Sequence, residues 1–297
     1  MRGADHSPLR GQRNVGLREL QGRHGKVDSL TGREVSLAGL TVGDVMVKSF
    51  QFVGSRELVT KARAVMRESG RRVLPVVDGG VLEGILTQRE VLRVSSTRSN
   101  IPVSGIMSPV PVIITPASDL GRVVRTMIEF GLDELPVVQD HVNRTFVGVV
   151  RADDIIRRMI DSPGFSRKVA EVMTRDPVSC EPDDELARVW EVMEKSRFSG
   201  MPVVEVRGGK RRVVGVITRS DIIKEGSARI SEESGKGRRT KVKSVMKSPA
   251  ITVDEDASLR EAAEIMLERK IKRLPVVRDG ELTGIISRED VLRAICR

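Results

Sequence analysis

One spacing constrains this chain more than any other feature. Four methionines, each preceded by Val or Ile (Val45-Met46, Ile106-Met107, Val172-Met173, Val245-Met246), are followed 29 positions later by Pro75, Pro136, Pro202 and Pro275. Four identical spacings mean a repeated structural unit. The chain of 297 residues is therefore read as four copies of one motif, not as the two unrelated domains its length alone suggests. Each Pro lies in an apolar tetrapeptide, Leu74-Pro75-Val76-Val77, Leu135-Pro136-Val137-Val138, Met201-Pro202-Val203-Val204 or Leu274-Pro275-Val276-Val277, which predicts a short buried strand.

Nine positions before each Pro stands a second Met (Met66, Met127, Met193, Met266), and seven before that Val59, Leu120, Leu186 or Leu259. With Ala62, Val123, Val189 and Ala262 between them, these residues mark the i, i+3, i+7 face of an amphipathic helix. The first copy departs from the pattern with Arg63, where the others have Val124, Trp190 and Ala263. Methionines at this spacing are core residues. After each Pro strand a polar turn, such as Asp78-Gly79-Gly80 or Asp279-Gly280, leads into a second apolar run (Val81 to Leu86, Phe146 to Val150, Val213 to Ile217, Leu282 to Ile286), which predicts a β-hairpin. Each run contains a Gly (Gly84, Gly148, Gly215, Gly284), and six residues later an acid, Glu90, Asp154, Asp221 or Asp290, opens a final short helix. The unit reads β-α-β-β-α. It is too small to bury its own core, so neighbouring copies are expected to pair into two modules.

Composition removes several alternatives. Two cysteines (Cys180, Cys296) and three histidines (His6, His24, His141) supply neither a disulfide framework nor a zinc-ligand set, and no structural metal is expected. No apolar stretch approaches the roughly 18 residues of a membrane-spanning helix and Met1-Arg2-Gly3-Ala4-Asp5 starts no signal peptide, so a soluble, cytoplasmic protein without a membrane partner is expected. There is no P-loop and no nucleophile–His–acid set, which argues against an enzyme. The formal charge is +10, from 51 basic against 41 acidic side chains, and 38 of the basic residues are Arg. That excess suits oxyanion partners, because guanidinium offers them a planar fork.

The Val-Met start, the Leu-Pro-Val-Val strand and the ending Gly284-Ile285-Ile286-Ser287-Arg288-Glu289-Asp290 resemble the cystathionine-β-synthase (CBS) domain, in four tandem copies over residues 41–297. The resemblance implies an α/β fold of four β-α-β-β-α CBS repeats paired into two disc-shaped Bateman modules, preceded by a basic irregular N-terminal arm. On this reading residues 1–40 form the arm, 41–97, 102–160 and 168–226 the first three repeats, 227–240 a basic linker and 241–297 the fourth repeat. It also implies clefts for an adenine nucleotide, AMP, ADP or ATP, bound as a ligand with no prosthetic group. In the family the ribose is taken by the acid of a Gly-h-h-Ser/Thr-x-x-Asp stretch, where h is apolar. Thr218 with Asp221 and Ser287 with Asp290 match it; the first repeat has Glu90 after Thr87, and the second has Arg151 ahead of Asp154. The family's phosphate-binding cations come just before the Leu-Pro strand. There the fourth repeat offers Lys272-Arg273 and the first Arg71-Arg72, whereas the second offers Asp133-Glu134, which would repel phosphate, and the third Ser199-Gly200. The nucleotide is thus expected in the C-terminal module, at Thr218, Asp221, Ser287, Asp290, Lys272 and Arg273. An acid that opens a short helix is also an ordinary N-cap, and both readings of Asp221 and Asp290 stand.

Two further stretches lie outside the repeat pattern. Residues 1–27 carry Arg2, Arg10, Arg13, Arg18, Arg23 and Lys26 against Asp5 and Glu19, with glycines between them and no apolar periodicity. Residues 234–247 carry Lys236, Arg238, Arg239, Lys241, Lys243 and Lys247 with no acid. Gly interleaved with Arg lets backbone approach a phosphate chain, which points to RNA; without Tyr and with one Trp, base stacking is not its main mode. Archaeal tandem CBS proteins with basic extensions resemble this chain and are associated with ribosomes as dormancy factors, which implies rRNA or ribosomal subunits as partners. The alternative is a nucleotide-sensing regulatory subunit of an enzyme, kinase or transporter, similar to the regulatory subunit of the AMP-activated kinase. The sequence leaves open whether the modules stack within one chain or between two, as a homodimer.

Overall fold

The computed structural model describes residues 37, 39–94, 100–224 and 240–296. The first repeat holds helix α1 (Val59–Ser69), strands β1 (Val73–Asp78) and β2 (Val81–Thr87), and α2 (Gln88–Arg93); the second holds α3 (Leu120–Phe130), β3 (Glu134–Val138), β4 (Phe146–Arg151) and α4 (Ala152–Met159). The third adds β5 (Thr174–Arg175), α5 (Leu186–Lys195), β6 (Gly200–Arg207), β7 (Lys210–Thr218) and α6 (Arg219–Lys224). The fourth adds β8 (Val253–Asp254), α7 (Leu259–Glu268), β9 (Arg273–Arg278), β10 (Glu281–Ser287) and α8 (Arg288–Ile295). The first strand of the repeat is much reduced. It survives as β8 beside β9 and as single parallel bridges, Val53 to Val76 and Cys180 to Val203.

The predicted helix face is buried in every copy, from Val59, Ala62 and Met66 to Leu259, Ala262 and Met266. Arg63 is buried too. Its guanidinium donates to the carbonyls of Val91 (3.3 Å) and Val94 (2.8 Å) at the end of α2.

The Val-Met segment that opens each repeat, however, does not pack on its own repeat. Val47 pairs with Val149 in the second repeat and Ser108 with Ile85 in the first; Thr174 pairs with Ile285 in the fourth and Lys247 with Val216 in the third. The turns just before these segments bury Val42, Val103, Val169 and Val242 in the cores of the same partner repeats. The repeated Gly makes room for this exchange. A Cβ on Gly84 would lie 2.8 Å from the Ser108 carbonyl oxygen, and one on Gly215 would lie 2.9 Å from that of Lys247. Within the paired units the sequence predicts, repeats one and two trade their leading segments, as do three and four.

Within each module the hairpins also meet edge to edge. Val81 pairs with Thr145, and Glu281 with Arg212, which joins the third and fourth repeats into a sheet of order β6-β7-β10-β9-β8. The two modules stack through helices of the same chain. In the first and third repeats, α1 and α2 lie on α6, and Gln88 Nε2 donates to Ser220 Oγ at 3.1 Å. In the second and fourth, α3 and α4 lie on α8, around one continuous apolar core that includes Ile155, Ile156, Leu259 and Ile295.

Candidate functional site

Hairpin register sets the site. In each repeat the residue just before the last helix lies opposite a residue just ahead of the Leu-Pro strand: Thr87 opposite Val73, Arg151 opposite Glu134, Thr218 opposite Gly200 and Ser287 opposite Arg273. One step further out, the carbonyls of Arg72, Asp133, Ser199 and Lys272 accept from the backbone N–H groups of Gln88 (3.0 Å), Ala152 (2.8 Å), Arg219 (3.1 Å) and Arg288 (3.0 Å). Stacking brings side chains at these four equivalent positions together. The Asp133 carboxylate lies 3.0 Å from Lys272 Nζ and 3.7 Å from the Arg72 guanidinium. Arg273 donates to Ser199 Oγ and to the Gly200 carbonyl. The result is a junction in which Lys272 and Arg72 pair with the Asp133 carboxylate while Arg273, the next residue along from Lys272, bonds Ser199 and Gly200, flanked by the pairs Arg71–Glu134 (3.4 Å) and Arg288–Asp153 (2.7 Å).

Burial and charge act against each other here. Burial pulls the Arg273 guanidinium down to about 10, and it lowers the Lys272 ammonium against the pull of Asp133. For Asp133 burial resists ionisation, but Lys272, Arg72 and Arg288 together outweigh it and hold the carboxyl below the usual range. Glu134 goes the other way: burial raises it, and the Arg71 charge does not compensate.

The two acids expected to take a ribose sit in capping boxes beside this junction. One oxygen of Asp221 accepts from the Thr218 backbone N–H at 2.9 Å and from the Thr218 hydroxyl; one oxygen of Asp290 accepts from the Ser287 N–H at 2.9 Å and the Ser287 hydroxyl at 2.7 Å. The N-cap expectation is corrected: Ser287 is the N-cap and Asp290 the N3 partner that accepts from it, Asp221 accepts from Thr218 in the same way, and the box uses half of each carboxylate. The other oxygen faces a cation: Lys247 at 3.5 Å from Asp221, brought in by the exchanged lead, and Arg293 at 3.8 Å from Asp290. Arg273 lies opposite Ser287 in the hairpin, yet its guanidinium reaches Gly200, which lies opposite Thr218. One arginine thus spans the space between the two boxes. Lys272 points instead at Asp133 of the other module.

The remaining two repeats are built differently. Glu90 closes a capping box on Thr87. Arg151 engages both oxygens of Asp154, at 2.5 and 2.8 Å, a bidentate fork that raises the arginine's pKa. Beside it, Arg71 lies over the Phe50 ring at 4.3 Å. Of the basic residues read as RNA-contacting, Arg2, Arg10, Arg13, Arg18, Arg23, Lys26, Lys236, Arg238 and Arg239 lie outside the described residues. Lys241 is held by a backbone bridge to Glu185, and Lys243 Nζ lies 2.7 Å from Asp183, an exposed pair of little energetic weight. Sequence reasoning overlooked Lys247 as a neighbour of Asp221 and Ser199 as a partner of Arg273. The signal was available for Ser199, which occupies the same repeat position as Lys272.

The sequence matches the CBS domain family over residues 42–97, 103–161, 169–228 and 242–297. The chain belongs to the CBS-domain family. It is 28% identical over 261 residues to the uncharacterized protein MJ1225 of Methanocaldococcus jannaschii, covering 79% of this chain and 91% of that one. The crystal structure of MJ1225, described as a proposed archaeal homologue of γ-AMPK, superposes with a TM-score of 0.74 at 25% identity over 86% of this chain and 99% of that one. A second M. jannaschii protein, MJ1404, is 29% identical over 86% of this chain, a match spanning 61% of the relative's length. An uncharacterized 33.4 kDa protein in the ribosomal RNA operon of Thermofilum pendens is 27% identical over 82% of this chain and 87% of its own. No helix among the described residues is long and apolar enough to cross a membrane.

Proposed function

We propose that this CBS protein is a non-catalytic, cytoplasmic regulator that binds an adenine nucleotide, AMP, ADP or ATP, in its C-terminal module. One observation supports the reading: two Ser/Thr–Asp boxes, at Thr218–Asp221 and Ser287–Asp290, flank the half-buried Arg273, which starts opposite Ser287 and reaches Gly200 opposite Thr218. A nucleotide needs that combination, a carboxylate oxygen for the ribose hydroxyls and, a few ångströms away, a cation for the 5′-phosphate. The N-terminal module lacks it, since Arg151 already occupies Asp154. Calorimetry with AMP tests the reading. Replacing both acids (Asp221→Ala, Asp290→Ala) removes charge-assisted hydrogen bonds of about 1.5–3 kcal/mol each and weakens binding at least about tenfold. Unchanged affinity overturns the assignment.

What the nucleotide controls, on this proposal, is RNA binding, with the protein holding ribosomal subunits out of translation as a hibernation factor. Twelve cations in residues 1–27 and 234–247 face two acids, and a relative of similar length comes from a ribosomal RNA operon. Phosphate contact by counterion release is steeply salt-dependent and nearly blind to sequence. The protein is expected to co-sediment with ribosomal subunits at low salt and to leave them at high salt. Deleting residues 1–27 and replacing Arg238, Arg239, Lys241 and Lys243 with Gln abolishes it. Retained co-sedimentation of that variant removes the role of these segments. If the parent never co-sediments, regulation of a protein partner becomes the better account.

A further inference from the structure

We infer that Lys247 is a built-in competitor for the nucleotide: its ammonium holds the one oxygen of Asp221 that a ribose would take, so that box opens only when the lysine is displaced. The inference rests on the nucleotide reading above and adds what governs one of its two boxes. Each capping box leaves one carboxylate oxygen outside it. At Asp221 that oxygen lies 3.5 Å from Lys247 Nζ, and the side chain is only 4% exposed. At Asp290 it lies 3.8 Å from Arg293, one turn further along α8, and the side chain is 15% exposed. Arg293 is also shared: it donates to Glu289 at 2.7 Å. Arg273 adds a second positive charge near Asp290, and that is the cation left for the phosphate.

The difference comes from the exchange of leads. The residue after each lead's Met pairs with the residue after the partner repeat's Gly: Val47 with Val149, Ser108 with Ile85, Thr174 with Ile285 and Lys247 with Val216. The acid that follows, Asp154, Glu90, Asp290 or Asp221, stands five positions on in every case. The four lead residues are therefore equivalent, and only the fourth repeat supplies a cation there. Its backbone is pinned by two hydrogen bonds to Val216, at 2.9 and 3.0 Å, so the lead stays beside Asp221. The lysine side chain is 61% exposed, however, and can swing into water. Lys247 is thus a displaceable counter-ion, and the hydroxyls that displace it bring no charge in exchange.

The test is calorimetry on the full chain with AMP and adenosine, in an Asp290→Ala background where only the Asp221 box remains. There Lys247→Thr, which installs the residue found at the equivalent Thr174, is expected to tighten both ligands at least about threefold and by similar factors, because the competition is for the ribose. In an Asp221→Ala background the same change is expected to alter neither. Unchanged affinity in the Asp290→Ala background, or no binding there before and after Lys247→Thr, overturns the inference and leaves the site assignment with Asp290. Weaker AMP binding makes the lysine a ligand of the nucleotide and overturns it too. If the wild type and Lys247→Thr bind neither ligand, the nucleotide reading fails and this one with it. Should Lys247→Thr not fold, Thr174→Lys asks the same question of the other box. In an Asp221→Ala background it is expected to weaken both ligands at least about threefold, and equal affinity refutes the competition.

Discussion

The exchange of leading segments needs a bare Cα at each repeated glycine, so Gly215→Ala is a direct probe of the fold. The added Cβ would stand 2.9 Å from the Lys247 carbonyl oxygen and 2.9 Å from Met246 Sδ, where ordinary contact begins at 3.4 Å. The exchanged lead must therefore retreat by about half an ångström along the strand pairing. That retreat strains two backbone hydrogen bonds, Val216 N to Lys247 O at 3.0 Å and Lys247 N to Val216 O at 2.9 Å. Weakening both costs about 1–2 kcal/mol, and local overpacking adds about 1–2 more, so the expected loss is about 2–4 kcal/mol. Thermal unfolding followed by circular dichroism should show a fall in Tm of about 5–15 °C. The control is Gly121→Ala in the first turn of α3, where the new Cβ meets its nearest neighbour at an unstrained 3.4 Å and alanine should be about neutral or mildly stabilising. If Gly215→Ala unfolds with the same midpoint as Gly121→Ala, close approach of the exchanged lead is not what Gly215 is there for.

Other perturbations have equally definite outcomes. Asp133 titrates below its ordinary value in the folded chain, so the stability it brings is present above about pH 4 and lost as pH falls through the folded value; acid unfolding of Asp133→Asn should be shallower than that of the wild type in this window. Burial raises the Glu134 carboxyl, so ionised Glu134 is costly at pH 7 and Glu134→Gln should be neutral or stabilising in urea unfolding; a loss above about 1 kcal/mol contradicts this. Burial pushes the Cys180 thiol up to about 12, and in a Cys296→Ser background it should react with Ellman's reagent at pH 8 only on unfolding. Arg63→Met leaves the Val91 and Val94 carbonyls without their donor and should cost about 1–3 kcal/mol in the same unfolding assay.

The elements themselves were largely legible in the sequence, because each obeys a local rule. The Val59, Ala62, Met66 spacing is helical, the Pro tetrapeptides are uniformly apolar, and Asp279-Gly280 is a turn, with Asp279 and Gly280 at φ 53° and 74°. What could not be read locally is which neighbour a segment packs on. The strand that carries Val47 looks the same whether it covers its own repeat or the next, and only the bare Cα of Gly148 marks its true position. The candidate site divides the same way. Thr218, Asp221, Ser287 and Asp290 follow from the resemblance to the CBS motif. The direction of Lys272 and Arg273 depends on Asp133 and Ser199, 139 and 74 residues from them respectively: Asp133 reaches Lys272 through the stacking of modules, and Ser199 reaches Arg273 through the pairing of the third and fourth repeats.

The trading of leads also limits how a chain of this kind can be shortened or lengthened. A fragment cut after the first repeat would keep Val47 with no Val149 to receive it, and its Gly84 would face an empty groove where Ser108 belongs. Ancestral duplication, gene fusion and laboratory dissection therefore share one counting rule: repeats are gained or lost two at a time.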